Sequence, residues 1–155
     1  MSQTFLLGMN AKIYQGAAGA ALADLTEMSN IKDVSLSLEA GEADVTTRAN
    51  QGWRATAPTL RECTSEFEML WQPGDAGFEA LKTAFLSSAT VRLAVLTGAK
   101  SADGIEPVEG SEGVLGDFAI TSFSRNEPLE EGVTVSVTAK LSVFDQWITN
   151  GLEAA

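Results

Sequence analysis

Glu66 and Glu68 are the residues of this chain best spaced for acid–base chemistry. Carboxylates two apart on a strand project from one face, about 7 Å from each other. That separation would suit the acid and base of an inverting glycosidase. Two acids on a polar strand face are ordinarily solvated charge, however, and no cleft-forming pattern surrounds these. Glu39, Glu42 and Asp44 form a second acidic group without the spacing of a Ca²⁺ loop. Histidine is absent, which removes Ser-His-Asp and Cys-His catalysis and every His-containing zinc site. Cys63 is the single cysteine, so no internal disulfide can form. It falls in an alternating pattern that directs its thiol to an apolar face, where it is inert. No catalytic residue, metal ligand or cofactor is expected, and the chain does not read as an enzyme.

The elements that carry these residues are strands. The longest pattern is Gly132–Phe144. Val133, Val135, Val137, Ala139, Leu141 and Val143 alternate with Thr134, Ser136, Thr138, Lys140 and Ser142. Period-two alternation of β-branched residues marks a strand with one buried face. Residues 133–143 would span about 36 Å, roughly twice the common strand length. The wet face is unusual. Solvent faces mix Lys, Glu and Arg, whereas this one is short hydroxyls with one lysine, a smooth wall that suits passage of something along it.

Other strands repeat the pattern. Ile31–Glu39 sets Val34, Leu36 and Leu38 against Asp33, Ser35, Ser37 and Glu39. Arg61–Trp71 sets Cys63, Ser65, Phe67, Met69 and Trp71 against Glu62, Thr64, Glu66 and Glu68. Weaker strands are expected at Phe5–Gln15, Thr90–Leu96 and Asp117–Ser124, with a loose connection at Gly16–Ala23. One helix is expected after Pro73-Gly74, capped by Asp75 and closed by Ser87-Ser88. Phe78, Leu81 and Phe85 would face the sheet, with Glu79 and Lys82 in water. Ala40–Leu60 shows no period and reads as a long polar loop. Connections beyond ~12–15 residues are usually functional, and the loop's Trp53 must pack on something: its own sheet or another subunit. Gly98–Gly113 reads as a mobile loop or an open hairpin tip. A flexible tail is expected from about residue 145, anchored by Trp147 and Ile148. The whole, 1–155, reads as a single domain: one helix on a mainly antiparallel β-sandwich or barrel. Its sheet edges lack protecting Lys or Pro runs, so edge pairing between copies could close a ring.

Composition agrees with a globular chain, at 45% hydrophobic residues. A net charge of −11 opposes binding to nucleic acid or anionic membrane. No apolar run approaches the ~20 residues of a membrane span. Ala21-Leu22-Ala23 resembles a signal-cleavage site, but Phe5-Leu6-Leu7 is too short for its apolar region and Lys12 interrupts it, so no cleaved signal is expected.

The segments Ile31–Thr47, Arg61–Trp71 and Gly116–Phe144 resemble the tail tube (major tail) proteins of tailed bacteriophages. The most telling run is Phe123-Ser124-Arg125-Asn126-Glu127-Pro128-Leu129-Glu130-Glu131-Gly132 followed by Val133–Thr138. The resemblance spans roughly residues 5 to 148, with the Gly98–Gly113 loop left unmatched. Many members from long-tailed phages add an immunoglobulin-like C-terminal domain, and these 155 residues contain none. The resemblance implies a virion protein made in the bacterial cytoplasm. Six copies would form a ring whose inner strands join into one large β-barrel, and rings would stack into a conduit for DNA. Related tubes occur in contractile tails and type VI secretion. The implied inner sheet is Ile31–Glu39, Arg61–Trp71, Asp117–Ser124 and Val133–Val143, with Ser35, Ser37, Thr64, Glu66, Glu68, Thr134, Ser136, Thr138 and Lys140 lining the lumen. A nearby carboxylate is expected to neutralise Lys140. The Ala40–Leu60 loop would reach the adjoining ring through Val45, Thr46, Arg48, Trp53 and Arg54. Implied partners are other copies and the tape measure, tail terminator and distal tail proteins, with DNA only in transit and no membrane.

The alternative is a monomeric β-sandwich module that binds carbohydrate or peptide. It would require aromatics clustered on an exposed face, and Trp53 alone fits.

Overall fold

The structure, a computed structural model, describes residues 7–153. Its strands are β1 (Lys12–Gly16), β2 (Thr26–Glu27), β3 (Ile31–Asp44), β4 (Thr56–Leu70), β5 (Thr90–Leu96), β6 (Gly113–Asn126) and β7 (Thr134–Ile148). They form one seven-stranded sheet in the order β2-β1-β5-β6-β7-β4-β3. All pairings are antiparallel. One helix, α1 (Ala76–Ser87), follows β4. The mainly β, antiparallel architecture with one flanking helix is therefore present, as a single open sheet whose outer strands do not pair with each other.

Two apolar layers explain the strand sequences. On one side, Phe78, Leu81 and Ala84 of α1 join Phe67 and Met69 of β4, Val135 and Val137 of β7, Phe118 of β6 and Val91 and Leu93 of β5. Each large side chain buried there stabilises by about 1.5–3 kcal/mol. On the other side, Ala94 and Leu96 of β5 meet Tyr14, Leu22, Leu25, Leu115 and Ile148. β5 is thus covered on both faces, which is why it reads as a continuous apolar run.

Helix α1 begins as its sequence dictates. The Asp75 carboxylate accepts a hydrogen bond from the Phe78 N–H at 3.1 Å, and Ser88 ends the helix in the left-handed conformation. Glu79 and Lys82 pair at the surface, 2.8 Å apart. Phe85 is only partly covered and stacks on Phe123. Cys63 is buried, and that burial pushes its thiol pKa up.

Several boundaries differ from expectation. β1 starts at Lys12, after a short 3₁₀ turn at Gly8–Asn10; Phe5 and Leu6 of the expected first strand lie outside the described residues. Most of Ala40–Leu60 is not loop. β3 and β4 stay paired out to Asp44 and Thr56, leaving only residues 45–55 as the hairpin tip. A register shift between Ala40 and Glu42 hides the alternation, and Pro58 sits where β4 has β3 as its one strand neighbour, an edge position that tolerates proline.

Residues 145–153, expected as the start of a flexible tail, are held in place. β7 continues to Ile148, which is fully buried, and the Glu153 carboxylate accepts from the Leu22 N–H at 2.6 Å. Register shifts in the β6–β7 ladder skip Ser142 and Asp145, so the buried phase moves from Val135 and Val137 to Ile148. Bulges of this kind erase a period-two signal.

The Gly98–Gly113 segment is no open hairpin tip. The Lys100 ammonium donates to the carbonyls of Leu22 (2.9 Å), Ala23 (3.2 Å) and Leu25 (2.5 Å). Ser101 and Val108 donate backbone N–H groups to the Gly151 and Asn150 carbonyls.

A charged group lies within the apolar strands. Arg92 of β5 is 6% exposed. Its Nε donates to Asp117 of β6 at 3.0 Å and its Nη1 to Asp145 of β7 at 2.8 Å. Asp117, then burial, then Asp145 act on Arg92, and the net effect raises its pKa. The ion network ties three strands together at the Asp145 irregularity.

Candidate functional site

The polar residues singled out from the sequence converge on one sheet face. Cross-strand register gives the row Ser35–Glu66–Thr138–Ser122 across β3, β4, β7 and β6. A second row is Ser37–Thr64–Lys140, and a third is Glu68–Ser136–Ser124. Rows between them, such as Phe67–Val137–Phe123, turn to the core. The β4–β7 pairing is regular from Thr64 to Leu70, so alternation is faithful there.

Thr134 departs from the expected set: it is buried at the start of β7. Ser35, Ser37, Glu66, Ser136 and Lys140 are exposed, and Thr64, Glu68 and Thr138 are half-buried. Ser122 and Ser124 extend the face onto β6, and sequence reasoning missed them. The register shift between Ile120 and Ser122 adds Thr121 to the strand and obscures the phase.

The face is acidic and hydroxyl-rich. Glu39 and Glu62 stand directly opposite each other. Ser37, Glu39, Glu62, Thr64, Glu66, Thr138 and Lys140 line one shallow depression. Lys140 forms no ion pair among the described residues, contrary to expectation; the carboxylates nearest it in the ladder stay in water instead. Glu66 and Glu68 lie on an open sheet surface rather than in an enclosed cleft.

Among the described residues both lateral edges of this four-strand face are free, and β3 pairs only with β4. β5 covers β6 from Gly113 to Ala119 and no further, so residues 120–126 take β7 on one side and no strand on the other among the described residues.

Val45, Thr46, Arg48, Trp53 and Arg54 all fall in the hairpin tip, and all are exposed. The tip holds its own shape. Asp44 accepts from the Thr46 N–H at 2.9 Å and from its hydroxyl at 2.5 Å. These bonds hold the Asp44 carboxyl below its ordinary pKa. The Asn50 amide donates to the Trp53 carbonyl at 2.9 Å, and Gln51 and Gly52 turn the chain with positive φ. Trp53 is 75% exposed, so it does not pack on its own sheet.

An open sheet with one polar face, free lateral edges and a projecting hairpin is the build of a structural β subunit. The chain belongs to the phage tail tube protein family, whose model matches residues 10–143. It is a tail tube structural subunit of a phage-type virion, and this membership displaces the monomeric binding-module alternative. The fold is similar to a solved tail of an empty gene transfer agent (GTA) particle refined with C6 symmetry. That match has 18% identity, a TM-score of 0.69, and covers 96% of this chain and 98% of the other. It is also similar to the SPP1 tail tube, at 15% identity and a TM-score of 0.68, covering 94% of this chain and 81% of that one. A baseplate of the anti-feeding prophage (AFP), six-fold symmetrised, matches at 6% identity with a TM-score of 0.63 over 98% of this chain and 100% of that chain. Comparison with curated proteins gave no match.

Proposed function

We infer that six copies of this chain close into a ring through the free edges of the polar sheet, and that the rings stack into a DNA conduit. The observation that carries this reading is topological. The β3-β4-β7-β6 face ends on both sides in strand edges with unused backbone groups. Such edges are templates for pairing with another chain, and a head-to-tail contact of β3 on residues 120–126 of a neighbour closes when the rotation permits. The six-fold symmetry of the GTA tail supports the number.

In that ring Ser35, Ser37, Thr64, Glu66, Glu68, Ser136, Thr138 and Lys140 line the bore. DNA must pass without sticking, so stacking aromatics and clustered arginines would be faults in the wall. Hydroxyls keep the wall hydrated and the glutamates repel phosphate. Catalysis has no part in this role. The tape measure, tail terminator and distal tail proteins are the further partners, and assembly takes place in the host cytoplasm.

Light scattering and sedimentation of the purified protein over a range of concentrations test the reading. Rings, tubes or a concentration-dependent shift are expected. A strictly monomeric protein at high concentration, even with a tail initiator present, would contradict it.

A further inference from the structure

The two ends of the polar sheet carry opposite charge. The hairpin tip, residues 45–55, holds Arg48 and Arg54 and no acidic residue. The β6–β7 connection, residues 127–133, holds Glu127, Glu130 and Glu131 and no basic residue. Register sets them at opposite ends. Asp44 pairs with Thr56 at the tip, whereas Leu70 pairs with Thr134, which faces Asn126, at the other end. β4 spans about 46 Å between those ends, so the two groups do not meet within a subunit.

Both groups are unsatisfied and exposed. Arg48, Arg54, Glu130 and Glu131 form no ion pair among the described residues; Glu127 alone is engaged, by Arg125 at 3.1 Å. Each end also offers a large apolar side chain to solvent: Trp53, 75% exposed, and Leu129, 99% exposed. The chain holds 10 basic residues against 21 acidic ones, so copies repel one another overall. Stacking them end to end requires a local reversal of that repulsion, and the tip is the place where two arginines stand with no acid among residues 45–55, the Asp44 carboxylate at its base being bonded to Thr46. Its internal hydrogen bonds shape it in advance, which lowers the ordering cost of docking.

We propose that Arg48 and Arg54 of one subunit dock against Glu130 and Glu131 of a second copy in the adjoining ring, with Trp53 packing on Leu129. This rests on the stacked-ring reading and names the surface that receives the tip.

The test compares four proteins: wild type, R48E/R54E, E130K/E131K and the combination of all four reversals. Thermal melts by circular dichroism verify that each is folded, since every altered residue is exposed. Sedimentation velocity and negative-stain microscopy then read the assemblies. Wild type is expected to form tubes that shorten as salt rises, because the attraction is screened. Each double reversal is expected to lose tubes and leave rings, and the combined variant is expected to stack again. Double reversals that stack like wild type would overturn the proposal alone, as would a folded combined variant that fails to stack. Double reversals that form no rings would assign these residues to ring closure and overturn it too. A wild type that forms neither rings nor tubes would overturn the stacked-ring reading, and this proposal with it.

Discussion

Glu66 of β4 and Thr138 of β7 stand opposite each other on the wet side of the sheet, and the next pair, Phe67 and Val137, is buried on the dry side. The same two strands therefore build the core and the polar wall. A slip of one residue would exchange the faces, so the packing that stabilises the subunit also fixes which side chains the wall presents.

Replacing Glu66 and Glu68 by Lys should leave the fold intact, because both carboxylates lie on the wet side. In a virion the added lysines would attract phosphate and slow DNA ejection, more at low salt than at high salt. Ejection kinetics measured across salt concentrations check this. An unchanged rate at low salt from normally assembled virions would show that these residues do not govern passage.

Trp53→Ala should change subunit stability by no more than about 0.5 kcal/mol, the usual range for an exposed site, while sharply reducing tube formation. A thermal melt paired with microscopy separates the two effects. A large drop in melting temperature would mean that Trp53 belongs to its own subunit's core.

Arg92→Met should cost about 3–5 kcal/mol, since it removes the charge that compensates a buried carboxylate while retaining the aliphatic bulk. Asp145→Ala should cost far less. The Asp145 side chain is 38% exposed, and water screens such a pair to about 0–1 kcal/mol. Urea unfolding of both variants gives the comparison, and equal costs would contradict the view that burial dominates here.

Glycine substitutions should sort by backbone approach. A Cβ built at Gly113 would lie 1.6 Å from the Val95 carbonyl oxygen, so Gly113→Ala must push β5 and β6 apart, at a cost of at least ~1–3 kcal/mol. A Cβ built at Gly132 would meet nothing within 4 Å beyond its chain neighbours, and Gly132→Ala should be neutral or stabilise by up to ~1 kcal/mol. Hydrogen exchange at the β5–β6 ladder would report the first effect.

Much of this was legible because residues 33–39, 62–69 and 133–139 keep a period-two pattern, and because Asp75 follows Pro73-Gly74 directly before a helical stripe. Thr90–Leu96 is legible to the residue, since burial on both faces leaves an apolar run broken only by Arg92. The hairpin arms were not legible. Their side chains are mostly exposed on both faces, Leu60 among them, so no core imposes a period. The Arg92 network was missed as well: its partners lie 25 and 53 residues away, and only the strand order brings them together. A single arginine inside an apolar strand was the available signal.

The most direct test of the account is a helical reconstruction by cryo-electron microscopy of tubes assembled from the purified chain. The expected map is six-fold, with β3 of each subunit pairing with residues 120–126 of its neighbour and with Glu66, Thr138 and Ser136 facing the bore. A map that sets Glu66 on the outer surface of the tube would contradict the central claim.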